Sequence, residues 1–296
     1  MTTFLELLIN GLSIGSVYAL IALGFVVIFK ATEVVNFAHA SLLLTGGFIA
    51  ATLSDDIGFW PALLVGIGGA AAVGALVEFL VIRRYRGSDH SVLAIVTIGV
   101  DILLLTELTR RIGTDVLALG DPWGDRVVTL GSVTVPQTRI AALVAAALII
   151  TLFLLAFTYT SWGVAMRAAA EDRETAALMG VRLGRVSLAA WAVAGALAAV
   201  AALFLTVFPT PGLAAATSFA AFKAFPAAII GGLDSTTGAL AGGLIVGVTE
   251  ALVTGYQDDL SFLGRGIGEV APYLVMLLVL LARPAGLFGT RELSRV

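Results

Sequence analysis

Two lysines and two histidines bound the chemistry open to this chain of 296 residues. Lys30 follows Phe29 and Lys223 follows Phe222. Neither stands in the Gly-Lys-Ser/Thr setting where backbone amides cradle phosphates and a lysine neutralises them. His39 and His90 are too far apart for a His-Glu-x-x-His zinc helix. The chain has no cysteine. Neither a hydrolytic centre nor a cofactor of its own is expected.

Three groups of polar residues remain. The first is the run from Lys30 to Ser41, which interrupts an apolar stretch and contains Asn36, Phe37 and His39. A helix broken there frees backbone groups, and Asn36 and His39 can line a polar path; equally, Asn36 can cap the next helix. The second is a set of isolated ionisable residues in apolar surroundings: Glu78, Asp101, Glu107, Lys223, Glu250 and Glu269. Such groups cost several kcal/mol in a bilayer unless they pair or face water. Glu78 and Glu107 lie near segment ends, where they can reach the interface. Asp101 and Glu250 lie deeper, and either can pair with Lys223 or serve substrate or gating. The third is Ser161–Arg185, the most polar stretch of the chain.

The elements that must position these groups are membrane helices. Hydrophobic residues make up 59% of the chain and charged residues 12%, with a net charge of −3 and a mean hydropathy of +1.03. Soluble domains carry about twice that share of charge. Disorder, a disulfide scaffold and nucleic-acid binding are excluded together. About 20 apolar residues cross a bilayer as a helix. The expected spans are 4–29, 37–53, 60–82, 92–109, 138–158, 187–208, 219–232, 237–255 and 269–283. The seventh is short and holds Lys223 and Pro226, so it is either a crossing or a re-entrant element, and the count is eight or nine. The fold class is therefore all-α: one polytopic membrane domain over 1–296, embedded in lipid. The first ten residues lack the basic start and small-residue cleavage pattern of a signal peptide.

Basic residues orient the bundle. With nine crossings, one side carries Lys30, Arg83, Arg84, Arg86, Arg167, Arg173, Arg182, Arg185, Arg283, Arg291 and Arg295. The other carries Arg110, Arg111, Arg126, Arg139 and Arg265. This puts the N-terminus outside and the C-terminus in the cytoplasm. The outer loop near 110–137 holds Asp115, Asp121, Trp123 and Asp125 before an alternating stretch, Val127–Val135, that suits a short hairpin or an interfacial cap. Gly66, Ala70 and Gly74 share one helix face, and Gly238/Gly242 and Gly243/Gly247 form two small-residue pairs, the spacing of close helix packing.

On the inner side, residues 165–179 are good helix formers, with charges facing away from Met166, Ala169, Ala170 and Ala177. The expectation is one short cytoplasmic helix, either closing a loop or docking a soluble partner. Glu174-Thr-Ala-Ala-Leu-Met-Gly180 resembles the Glu-Ala-Ala-x3-Gly coupling motif of ABC importer permeases. Thr175 replaces the first alanine, and the usual Ile-x-Leu-Pro continuation is absent. The whole loop is similar to its variant in the branched-chain amino acid permease family. Gly11–Leu20, Val35-Asn-Phe-Ala-His39, Thr97-Ile-Gly99 and Gly231–Leu240 resemble that family in the same order, with Ala40 where its glycine is usual.

The resemblance implies the permease subunit of an ATP-driven importer in a bacterial plasma membrane. Its implied partners are two ABC ATPase subunits using ATP and Mg2+, a second related permease and an extracytoplasmic solute-binding protein. Arg167, Glu171, Asp172, Arg173, Glu174, Ala177 and Gly180 would couple to the ATPases. Asn36, Phe37, His39, Thr97, Asp101, Lys223 and Glu250 are the pathway candidates. Branched-chain amino acids lead as substrates, and urea or short amides follow. A self-sufficient carrier or channel, using Asp101, Glu250 and Lys223 for ion coupling, is the rival class.

Overall fold

The computed structural model describes residues 2–290 except 86, 88, 121, 125, 131, 132, 208–211, 261–263 and 265. Arg86, Asp121, Asp125, Arg265, Arg291 and Arg295 thus lie outside the described residues. Among the described residues, eleven α-helices follow in order: α1 Thr2–Thr32, α2 His39–Ile57, α3 Phe59–Leu80, α4 His90–Ile112, α5 Gln137–Tyr159, α6 Ser161–Glu171, α7 Arg173–Leu178, α8 Leu183–Val207, α9 Phe219–Gly231, α10 Thr236–Gly255 and α11 Ile267–Ala282. An antiparallel ribbon, β1 Val127–Leu130 and β2 Val133–Pro136, sits between α4 and α5. This is the hairpin anticipated from the alternation.

Each expected apolar span forms a helix, and among the described residues seven helices are long and apolar enough to cross a membrane. The two shorter apolar helices are Ala215–Gly231, which joins a 3-10 turn to α9, and Ile267–Ala282. The 79% helical content and the apolar exteriors establish an all-α polytopic bundle. Val144, Leu148 and Leu152 on α5 and Leu274, Leu278 and Leu281 on α11 are exposed at helical spacing, the faces such a bundle turns to lipid.

α1 is the hub. Its residues from Val17 to Ile28, Gly24 included, are buried, and α8, α9 and α10 pack around it. The glycine pairs explain how. A Cβ on Gly243 would meet Ala19 at 2.5 Å, and one on Gly247 would meet Gly15 at 2.2 Å, so that pair seats α10 on α1. Gly242 and Gly238 abut Ala227 and Gly231 instead, seating α10 on α9. On α3, Gly66 meets α2, while Gly74 meets the Trp191 carbonyl of α8. Glu78 continues that face one turn on. It is 1% exposed, so it packs inside the bundle.

The bundle has two distinct ends. Where α1 starts, Ser13 donates to the Arg139 carbonyl, Ser54 to that of Ala118, and Leu117 bridges Leu213. Where α1 finishes, Arg173 donates to the Ala31 carbonyl at 2.7 Å, Lys30 to that of Asp234 at 2.6 Å, and Thr290 N–H to Asp234 Oδ2. α9 runs from the near end, beside Leu213, to the far end, beside Gly289, and does not turn back. α6 and α7 sit at the far end.

The polar stretch departs from its expected form. One helix over 165–179 is replaced by α6 and α7, because Asp172 leaves the helix at φ −155°. Its Oδ1 accepts the Glu174 and Thr175 N–H groups, and its Oδ2 accepts the Thr175 hydroxyl. An aspartate that caps a new helix ends the old one. The break shifts the phase of the second helix, so Ala176 is buried and Ala177 is exposed.

Candidate functional site

Between α1 and α2, residues 33–38 are not helical, and they climb back into the bundle. His39, the first residue of α2, packs on Gly24, where a Cβ would stand 2.5 Å from the ring. Gly24 lies eight residues before the end of α1, so α2 begins about 12 Å inside the far end. Backbone freed at such depth must find partners within the protein. It does. Asn36 Oδ1 accepts Ala38 N–H at 3.0 Å, Thr97 Oγ1 accepts Phe37 N–H at 3.1 Å, and Asp101 Oδ1 accepts Ser41 N–H at 3.1 Å.

Thr97 and Asp101 stand one turn apart on α4 and together cap α2 from outside its own sequence. The helix N-terminus, whose first amides lack intrahelical partners, also favours the carboxylate electrostatically. Asp101 therefore serves α2 and does not pair with Lys223. Asn36 lies two residues before the capping position, which Ala38 occupies, so the expected cap is displaced. His39 and Asn36 are fully buried, and among the described residues Asn36 Nδ2 makes no hydrogen bond.

Lys223 pairs instead with Glu250, at 3.0 Å, and with Glu269, at 3.4 Å. Tyr18 donates to the second Glu250 oxygen at 2.6 Å. α1, α9, α10 and α11 each supply one of these four side chains. They line a near-end cavity of about 560 Å³ whose remaining wall includes Ile14, Leu205 and Phe219. Sequence spacing singles out Lys223 and Glu250 and ranks Glu269 only as an isolated charge. Tyr18 escapes it, although a tyrosine deep in an apolar helix needs a partner for its hydroxyl. Glu107 lies elsewhere, exposed on α4 and paired with Arg110 and Arg111.

Below this cavity, Phe25, Phe37, Phe222 and Phe225 close around a space of only about 20 Å³. The Phe25 and Phe225 rings lie 5.3 Å apart, and Phe37 lies 6.2 Å from Phe225. Beyond them a second cavity, about 280 Å³, opens at the far end among Phe29, Lys30, Glu33, Arg167, Glu171 and Asp234. The two cavities and the aromatic closure thus follow one seam along α1, faced by α9 at the near cavity and the closure and by α6 and Asp234 at the far cavity. Phe37 belongs to this closure, whereas Asn36 and His39 lie packed behind it.

At the far end, Arg167 binds the last carbonyls of α5: its guanidinium donates to Phe157 O and, at 3.1 Å, to Thr158 O. Met166 and Ala169 bury the inner face of α6. α7 closes on a Schellman turn: Val181 N–H bonds Ala176 O and Gly180 N–H bonds Ala177 O, both at 3.0 Å. Gly180 holds φ +88° there, which a side chain opposes. The turn leaves Leu178 and Met179 82% and 81% exposed at the tip, with Glu171, Asp172 and Glu174 also exposed. Thr175, by its hydroxyl and then its N–H, holds the Asp172 carboxyl below the usual aspartate range.

A model of the branched-chain amino acid transport system permease component matches residues 7–282. The chain is 33% identical to the high-affinity branched-chain amino acid transport system permease protein LivH of Salmonella typhimurium, over 99% of this chain and 98% of that one. It is 32% identical to LivH of Escherichia coli and 30% identical to BraD of Pseudomonas aeruginosa, again over 99% of this chain and 98% of each relative. No solved structure matches.

Proposed function

The chain belongs to the branched-chain amino acid transport permease family, and we propose that it is the membrane-spanning subunit of an ATP-driven importer built from separate chains. It is a multi-pass transport component, not an enzyme. The observation that carries the reading is the likeness to permease components over essentially the full length. On this reading two ATPases, which bind ATP and Mg2+, sit in the cytoplasm below α6 and α7. A second, related permease lies alongside, and a solute-binding protein delivers substrate at the near end.

The near end is then outside and the far end cytoplasmic, which agrees with the crowding of basic residues at the far end. Nine helices cross. Ala215–Gly231 and Ile267–Ala282 reach only about 25 Å each, and neighbouring protein or local thinning makes up the difference. The α6–α7 segment is the docking element for an ATPase groove: an amphipathic segment with an apolar tip and a glycine turn. Access alternates by opening one cavity while the aromatic closure seals the other. Nucleotide and substrate need only stabilise the two states unequally.

The substrate is an aliphatic amino acid, with urea or a short amide as the alternative within the family. A self-sufficient carrier is the alternative from another class, favoured only by the charges around Lys223. The test is to purify the tagged chain from its native membrane in mild detergent, identify what accompanies it, and reconstitute the assembly. Two ATPases, a second permease and ATP-dependent uptake of labelled leucine are expected. A chain that moves leucine by itself overturns the importer.

A further inference from the structure

The charges in the near-end cavity do not cancel. Two carboxylates, Glu250 and Glu269, share the single ammonium of Lys223. Tyr18 holds the other Glu250 oxygen, and the Glu250 and Lys223 side chains are only 14% and 24% exposed. Glu269 is different. Its side chain is 75% exposed and its contact with Lys223 is the longer one, so it is the loose arm of the set. An excess negative charge within a membrane bundle is costly unless water or a ligand compensates it. The space available, about 560 Å³, falls in the range of small-molecule sites, about 300–1,000 Å³.

We propose that this cavity binds the α-ammonium and α-carboxylate of a free amino acid: Glu269 and Glu250 take the ammonium, Lys223 takes the carboxylate, and the wall of Ile14, Leu205 and Phe219 takes an aliphatic side chain. The inference rests on the importer reading and adds that the permease itself selects its cargo. Pairing, not net charge, chooses among ligands. A monocarboxylate deepens the excess, and an amide or urea brings no charge to either pole. A zwitterion leaves the net charge as it is, but gives the two glutamates a second cation to share and gives Lys223 an anion in return. A pair buried with good partners is replaced by two pairs of the same kind, so the exchange avoids leaving a desolvated charge alone.

The absence of cysteine makes the test clean. Ala216 lines the cavity and is exposed, so Ala216→Cys reports access to a thiol reagent, followed on this chain by intact mass. The assembled complex with its ATPases is used, without the solute-binding protein; Thr217→Cys serves as a second reporter. Leucine at ten times its half-saturating concentration is expected to slow labelling about tenfold, while isovalerate and isobutyramide leave it unchanged. The double variant Lys223→Gln/Glu250→Gln is expected to lose the protection. Protection that survives in the double variant marks a merely structural pair and overturns the site, as does equal protection by isobutyramide. Leucine that fails to protect a complex able to accumulate it with ATP also overturns the site, while leaving the importer standing. Absence of ATP-driven leucine uptake in every preparation overturns the importer reading.

Discussion

A carboxylate deep in a helical membrane protein invites a cation or a ligand as its explanation. Asp101 needs neither, because the Ser41 amide at the start of α2 uses it. Asp101→Ala strands that buried N–H, at a cost of about 1–3 kcal/mol, whereas Asp101→Asn keeps an acceptor and loses less. Thermal unfolding of the purified chain in detergent is the check, and equal midpoints for Asp101→Ala and the unaltered chain would refute the capping role. The polar break at Val35–Ser41 is legible in the sequence, since apolar runs in lipid are not interrupted cheaply. Its partners are not: Thr97 and Asp101 come from sixty residues away, and no spacing rule connects them. The same holds for Lys223, whose choice of Glu250 over Asp101 depends on α9 and α10 lying face to face. Asp172 makes a pH-dependent prediction. Its folded-state pKa lies below the ordinary aspartate value, so its contribution is complete above that ordinary value and fades as pH falls through the lower one. Hydrogen exchange in α7, corrected for intrinsic rates, should quicken on acidification in the unaltered chain. Asp172→Asn should show no such step.

Helices without a hydrophobic drive toward one another depend on close backbone approach, so the element scale is ruled by small residues. α10 uses both of its glycine pairs, one for α1 and one for α9. Gly247→Val would push a side chain into the Gly15 backbone and should cost about 1–3 kcal/mol, as overpacking does. Gly68→Val meets open space and should cost no more than the change of residue type. Parallel thermal melts of the two variants decide it: similar losses would mean that α10 is not seated by its glycines. The apolar segments and these glycine faces are readable because crossing length and period follow from lipid thickness and helix pitch. The split into α6 and α7 is harder to read. Helix-forming residues surround Asp172 on both sides, and only the hydroxyl and amides it captures at Thr175 and Glu174 turn it into a boundary. Ala177 is assigned to the buried face by an unbroken helix and to the surface by the broken one.

At the scale of the whole molecule, the far-end α6–α7 segment is tied to the helix that lines both cavities. Arg173 grips the Ala31 carbonyl at the end of α1, and Arg167 grips the last carbonyls of α5. α1 then carries Phe29 and Lys30 in the far cavity, Phe25 in the closure and Tyr18 in the near cavity. A displacement of α7 thus has a rigid route to every part of the seam, and docking and transmission become separable. Leu178 and Met179 present the apolar tip and touch little of their own chain. Burying either in a partner groove is worth about 1.5–3 kcal/mol, so Leu178→Asp or Met179→Asp should weaken ATPase association at least about tenfold. Arg173→Ala leaves the tip intact but cuts the tie to α1. It should keep the ATPases bound and hydrolysing ATP while leucine uptake by the reconstituted complex falls. The ratio of ATP hydrolysed to leucine accumulated separates the two classes. If Arg173→Ala leaves that ratio unchanged while Leu178→Asp still releases the ATPases, the motion reaches the seam by another contact, and Arg167 with α5 becomes the route to cut next.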